Sequence, residues 1–215
     1  MTRRELERGD RILPDPPTPE PTEAEARSCW GFADSGFAFT EAGELTFTGR
    51  RYPLAGQILP DFLPWAEGIL GVPLDPTDVR PSHYPPALPE RRPHGPFESA
   101  LSARWSEEQI LRDPEIRLRH GHGHTQEEIC ALQSGAIDRV PDLVVQPRSE
   151  AEVCELVELA REHDVCLVPY GGGTNVTDAL HCPSDERRRI VSVDLRRLNR
   201  VLWIDPENRM AEIQA

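Results

Sequence analysis

Pro169-Tyr170-Gly171-Gly172-Gly173-Thr174-Asn175 closes the apolar run Val165-Cys166-Leu167-Val168 and opens a polar stretch. Three successive glycines remove every Cβ from one side of a turn, so the backbone can take positive φ and a bulky anion can come up against its amides. Consecutive N–H groups of this kind form a nest for phosphate. The same tripeptide also serves as a flexible connection between strands, and the residues before it separate the two readings.

Val140-Pro141-Asp142-Leu143-Val144-Val145-Gln146-Pro147 is a β-branched run bracketed by prolines, which predicts a strand limited at both ends. Ser149 follows, and with Glu152 it makes an S-x-x-E capping box. Val153, Leu156, Val157 and Ala160 then recur at i, i+3, i+4 and i+7, with Glu152, Glu155, Glu158 and Arg161 turned outward. This predicts an amphipathic helix packed on a sheet. Val165 to Val168 reads as a strand covered on both faces, and strand-helix-strand connections of this length are parallel and right-handed. Beyond the glycines, Ile190-Val191-Ser192-Val193-Asp194-Leu195 and Arg200-Val201-Leu202-Trp203-Ile204 are strands. Asp205-Pro206-Glu207-Asn208 is a turn, and Met210 to Gln214 starts one more strand, on which the chain stops. A sheet ending on an unpaired strand leaves an exposed edge, so the sequence reads as interrupted.

Ahead of this region, residues 1–27 are proline-rich and charged, a composition that predicts a disordered tail. From Trp30 the chain turns aromatic. Phe37 to Thr40 and Leu45 to Thr48 alternate around Glu41-Ala42-Gly43-Glu44, a hairpin pattern. Asp61 to Leu70 predicts a short helix with Phe62, Trp65, Ala66 and Ile69 on one face, ended by Gly68 or Gly71. Residues 73–96 form a proline-rich linker or surface excursion. Leu101 to Asp113 can start a helix near Ser106, with Pro114 breaking or restarting it.

Length and charge bound the possibilities. The 215 residues suffice for one sizeable domain or two small ones. A net charge of −13 argues against a nucleic-acid partner, since no basic face is available to release counterions. Every basic residue among the Lys/Arg set is arginine, which excludes a lysine nucleophile or Schiff base. Cys29, Cys130, Cys154, Cys166 and Cys182 lack C-x-x-C spacing and read as reduced thiols of an intracellular protein. No secretory signal and no bilayer-length apolar run is visible.

Arg119-His120-Gly121-His122-Gly123-His124 places three histidines at alternate positions. A metal cluster is one reading, but no second ligand group with suitable spacing completes it, and no metal site is assigned. A capping and turn segment feeding a helix over Gln126 to Gln133 is another. The arginines Arg187-Arg188-Arg189 can approach a phosphate or form a solvated surface run, and the latter is the simpler view.

Together, Pro141-Asp142-Leu143-Val144-Val145, the amphipathic helix and Val168 to Asn175 resemble the opening of the FAD-binding domain of the vanillyl-alcohol oxidase and p-cresol methylhydroxylase (PCMH) superfamily. Within it the chain is similar to the alkyldihydroxyacetonephosphate synthases, also called alkylglycerone-phosphate synthases. The discriminating stretches are Trp30-Gly31-Phe32-Ala33-Asp34-Ser35, Thr48-Gly49-Arg50-Arg51-Tyr52-Pro53-Leu54, Arg119 to His124 and Leu198-Asn199-Arg200-Val201-Leu202-Trp203-Ile204-Asp205. The resemblance implies an α+β chain. Its helical and hairpin N-terminal region, 28–136, precedes the first βαβ-containing part of a PCMH-type FAD-binding domain, 137–215, whose sheet is incomplete at the C-terminus.

The resemblance also implies FAD as cofactor, with Pro169, Tyr170, Gly171, Gly172, Gly173, Thr174 and Asn175 at its diphosphate, and one of the three histidines near it. A second glycine stretch and the catalytic residues of the family match no position in this chain, so no catalytic residue is assigned. The implied reaction exchanges the acyl group of acyl-dihydroxyacetone phosphate for a long-chain fatty alcohol, the flavin acting covalently through its N5 with no net redox change. A peroxisomal location, peripheral membrane contact and a homodimer belong to the same implication, although no targeting signal is recognised. Two alternatives stay open: a flavin-dependent hydroxy-acid dehydrogenase or oxidase of the superfamily, and a catalytically silent FAD-binding fragment.

Overall fold

The computed structural model describes residues 25–29, 31–75, 77, 78, 81–174 and 177–214. The expected N-terminal tail lies almost wholly outside them, as do Trp30 and Asn175. The described chain divides into two compact units. One is formed by 25–85 with Leu132–Gly135, the other by Pro86–Ala131 with 136–214.

In the first unit β1 (Phe37–Phe39) pairs antiparallel with β2 (Leu45–Phe47), Phe37 opposite Phe47. The hairpin pattern is thus realised, and Gly43 takes φ 80 in its turn. Helix α1 (Phe62–Leu70) ends at Gly71, whose left-handed φ of 68 lets its N–H return to the Glu67 carbonyl. Of the four residues expected on one apolar face, Ala66 is buried, whereas Trp65 and Ile69 are exposed. The rings of Tyr52, Phe47, Phe37, Phe62 and Trp65 follow one another at centroid spacings of 5.8, 5.2, 4.9 and 5.7 Å.

The second unit is built on a four-stranded sheet of order β3-β4-β6-β5. Its strands are β3 (Ile110–Leu111), β4 (Leu143–Val145), β5 (Val165–Tyr170) and β6 (Arg189–Asp194). β6 lies between β4 and β5 and runs parallel to both, while β3 is antiparallel to β4. The strand-helix-strand unit therefore joins two parallel strands that are not neighbours. Helix α5 (Glu150–Glu162) starts on Ser149, whose hydroxyl accepts from the Glu152 N–H. The reciprocal arm of the box is redirected, because the Glu152 carboxylate accepts from the Arg148 N–H and from Gln109 Nε2.

Sequence periodicity misplaced the buried face of α5 by part of a turn. Leu156, Leu159 and Ala160 are buried, but Val157 is half exposed. They pack with Phe97 and Leu101 of α2 (Gly95–Ser102), with Trp105, and with Leu143, Val145, Val165, Val191 and Val193 of the sheet. On the opposite face Val168, Tyr170 and Ile190 meet Leu180 and Cys182. Both faces of β5 are covered, as its continuous apolar run requires. Ser106 caps a short 3-10 turn over Glu107–Gln109 instead of a longer helix, and Pro114 opens α3 (Pro114–Arg119) with Asp113 as N-cap.

The proline-rich excursion is tied down by Asp142. Its carboxylate accepts from the Arg92 N–H at 2.7 Å, the Ile190 N–H at 3.0 Å and the Arg139 guanidinium at 2.9 and 2.6 Å, all at the start of β4 and β6. Burial alone would raise the Asp142 pKa, but Arg139 and the two backbone donors hold it below the usual carboxylate range. Separately, β7 (Val201–Asp205) and β8 (Met210–Ile213) form an antiparallel pair. Among the described residues no helix is long and apolar enough to cross a membrane.

Candidate cofactor-binding site

The glycine loop leaves the carboxyl end of β5, the end of a parallel strand at which α/β folds place their ligands. Gly171 and Gly172 are exposed and Gly173 is half exposed. A Cβ built on Gly171 meets no atom within 4 Å, and one on Gly172 meets only Thr174 Cγ2 at 3.9 Å. Gly173 differs: its φ is 71, and an added Cβ would collide with the Tyr170 hydroxyl. Among the described residues no carbonyl accepts a hydrogen bond from the N–H of Gly171, Gly172, Gly173 or Thr174. The loop therefore offers bare amides behind open space, which fits a diphosphate.

Tyr170 is placed beneath this loop, its ring buried. Its register partner is Asp194, the last residue of β6. Asp194 is fully buried and heavily partnered: Oδ2 accepts from Arg196 Nη2 at 2.7 Å, Gln146 Nε2 at 2.8 Å and His120 Nε2 at 3.1 Å. Oδ1 accepts from the Arg196 N–H at 3.1 Å and Nε at 2.9 Å. Burial pushes the Asp194 pKa up, but the bonds from Arg196, His120 and Gln146 outweigh it and hold the group an anion. The bond to Asp194 correspondingly raises the Arg196 pKa. The half-exposed Arg196 guanidinium sits 5.3 Å from the Tyr170 ring centroid, so a cation flanks the loop.

The three histidines do not converge. His120 turns inward to Asp194, and the Ile116 carbonyl accepts from its Nδ1 at 2.7 Å. His122 bonds the Gly123 carbonyl, and burial lowers its pKa. Glu128 accepts from the N–H groups of Gly123 and Thr125, and Thr125 Oγ1 accepts from the Glu128 N–H, which caps α4 (Gln126–Ser134). Gly121 is needed for packing, since a Cβ there would lie 2.9 Å from Pro141 Cδ. Among the described residues no group of three metal-ligating side chains comes together. Arg188 pairs with Glu186, and Arg189 sits opposite Val165 at the far end of β5 and β6 from the loop. The arginine run is thus a surface feature remote from the glycines.

Residues 141–215 match the FAD binding domain family. The alkyldihydroxyacetonephosphate synthase of Caenorhabditis elegans is 39% identical over 189 residues, 86% of this chain. That match runs far ahead of the flavin domain, into the region where the discriminating N-terminal stretches lie. The chain is similar to the alkyldihydroxyacetonephosphate synthases over most of its own length. The synthase of Trypanosoma brucei brucei is 39% identical over 117 residues, 54% of the chain. A solved alkyldihydroxyacetonephosphate synthase superposes with a TM-score of 0.74 at 26% identity, over 87% of this chain and 36% of the solved one. The chain spans 31% and 19% of the two synthases' own lengths. Its mixed α/β architecture is that of a partial PCMH-type FAD-binding domain.

The glycine loop was legible beforehand, but Asp194, Gln146 and Arg196 were not singled out. The available signal was an aspartate ending the apolar strand Ile190-Val191-Ser192-Val193, where a charge is buried only with partners.

Proposed function

We propose that this chain carries the FAD-anchoring part of an alkylglycerone-phosphate synthase, which exchanges the acyl group of acyl-dihydroxyacetone phosphate for a long-chain fatty alcohol. The observation that carries the reading is the length of the family match: 189 residues, well beyond the 75 or so of the flavin domain. A flavin bound here supplies the covalent chemistry at the reacting carbon.

The chain's own residues bind and orient. Gly171 to Thr174 present amides to the diphosphate, each charge-assisted contact contributing about 1.5 to 3 kcal/mol, and Asn175 is assigned to the same set from the sequence. Pro169 and Tyr170 fix where the loop departs from β5. Arg196 adds positive charge alongside. Residues 28–136 are the family-specific region and 137–215 the flavin region. A peroxisomal location, peripheral membrane contact and a homodimer are further parts of the proposal.

The test takes the product of the complete gene with FAD, palmitoyl-dihydroxyacetone phosphate and labelled hexadecanol. Label recovered as alkyl-dihydroxyacetone phosphate, with palmitate released, supports the reading. Flavin reduction by glycolate or lactate with no label transfer overturns it in favour of a hydroxy-acid dehydrogenase.

A further inference from the structure

We propose that His120 is a positioning residue for the glycine loop, acting through Tyr170 while Asp194 locks its ring. The inference rests on the reading of that loop as the FAD diphosphate cradle and names the device that sets its shape.

Three contacts in series carry it. Asp194 Oδ2 lies 3.1 Å from His120 Nε2, and the Ile116 carbonyl lies 2.7 Å from Nδ1, so both ring nitrogens are held and the imidazole has one orientation. That ring stacks on Tyr170 with centroids 4.0 Å apart and planes tilted by 38°. The Tyr170 hydroxyl in turn lies against Gly173, where a Cβ could not be accommodated. Arg196, bonded to the same carboxylate, stands 5.3 Å from the Tyr170 centroid. Asp194 thus orders two groups that bear on one ring, and that ring supports the left-handed residue of the loop.

Simple packing does not account for this arrangement. Val168, Leu180, Cys182 and Ile190 form an apolar cluster on this face of the sheet. Apolar side chains could fill the space below Tyr170 without removing a carboxylate and an imidazole from water. A fully partnered polar network does what apolar filling does not: it admits one rotamer for each member. Within this network Gln146, Tyr170 and Asp194 sit at the carboxyl ends of β4, β5 and β6, from which the loop departs. At the opposite end the comparable carboxylate, Asp142, holds backbone and contacts no ring of the loop.

The experiment uses the 215-residue protein as His120→Phe and His120→Ala, with Leu159→Ala as the comparison. Leu159 packs on the other face of the sheet, so its truncation destabilises the unit without touching the network. Two quantities are read for each variant, per folded molecule: the amide ¹H–¹⁵N resonances of Gly171, Gly172 and Gly173 without ligand, and the dissociation constant for FAD. Both His120 variants are expected to shift the three glycine resonances and to weaken FAD by about tenfold or more, the loss of one charge-assisted contact. Leu159→Ala is expected to lower the thermal midpoint and leave both readouts unchanged. Glycine resonances unmoved in His120→Phe overturn the proposal, as does an equal loss of FAD affinity in Leu159→Ala. Should the unaltered protein bind no FAD, the cofactor reading fails, while the resonance shifts still decide whether His120 governs the loop.

Discussion

Neighbouring glycines of the loop should respond to alanine with opposite signs. Gly173 has φ 71, a region that costs an alanine about 1 to 2 kcal/mol. The new methyl would also drive into the Tyr170 hydroxyl, and Tyr170 is buried against His120. Forcing a packed ring aside costs roughly 1 to 3 kcal/mol more. Gly173→Ala should therefore destabilise the protein by about 2 to 5 kcal/mol, which lowers the thermal midpoint by on the order of 10 °C for a chain of this size.

Gly171 and Gly172 lie outside the left-handed region, and methyl groups on them meet nothing closer than 3.9 Å. The double variant Gly171→Ala/Gly172→Ala should be as stable as the parent or more stable by about 0.4 to 1 kcal/mol per site, because alanine restricts the unfolded chain. Its FAD affinity should nevertheless fall about tenfold or more, since the methyls stand in the space a phosphate needs to reach the amides. Differential scanning calorimetry gives the first quantity and quenching of flavin fluorescence the second. A double variant that binds FAD like the parent, or a Gly173→Ala protein that melts with it, would refute the assignment of the loop.

Three further outcomes follow from buried polar groups. Asp142→Ala strands Arg139, which is itself buried, and should cost about 3 to 5 kcal/mol in urea denaturation; a loss below about 1 kcal/mol would mean that water replaces the carboxylate. Cys182 is buried and its thiol is pushed up to about 12, so iodoacetamide at pH 8 should label the exposed Cys130 and Cys154 while Cys182 reacts only in denaturant, as peptide mass spectrometry would read. Asp194 has a depressed folded-state pKa, so its contribution is complete above the unfolded value of about 3.9 and is lost as pH falls below it. Asp194→Asn should flatten the fall in thermal midpoint between about pH 4 and pH 2, and an unchanged slope would assign that fall to other carboxylates.

Much of the fold was legible because its signals are local. Ser149 caps its helix through the Glu152 N–H, Pro114 opens a helix behind Asp113, and Gly71 ends one in the left-handed region. Each depends on residues within four positions. What failed depended on distant partners. Val157 fits the helical period of α5 as well as Leu159 does, but the sheet and α2 lie on the side that covers Leu159. Trp65 and Ile69 fit an apolar stripe on α1, yet of that stripe only Ala66 is buried. The pairing of β4 and β5 with β6, and not with each other, follows from a connection that passes through the glycine loop and returns between them. No periodicity records that order.

The candidate site divides along the same line. Its surface, the run Pro169 to Asn175, is contiguous, so its chemistry can be read from composition: absent side chains mean available amides. Its support is assembled from α3's C-terminus, β4, β5, β6 and the turn after β6, residues as far apart as His120 and Asp194, 74 positions along the chain. In the sequence His120 is one of three histidines spaced alike, and nothing in that spacing tells which one is buried. The structure separates them by what each ring meets: a buried carboxylate for His120 and a local carbonyl for His122. A loop of bare glycines has no side chains with which to hold its own shape, so its geometry has to be imposed from below. The buried anion at the end of β6 is where that constraint originates.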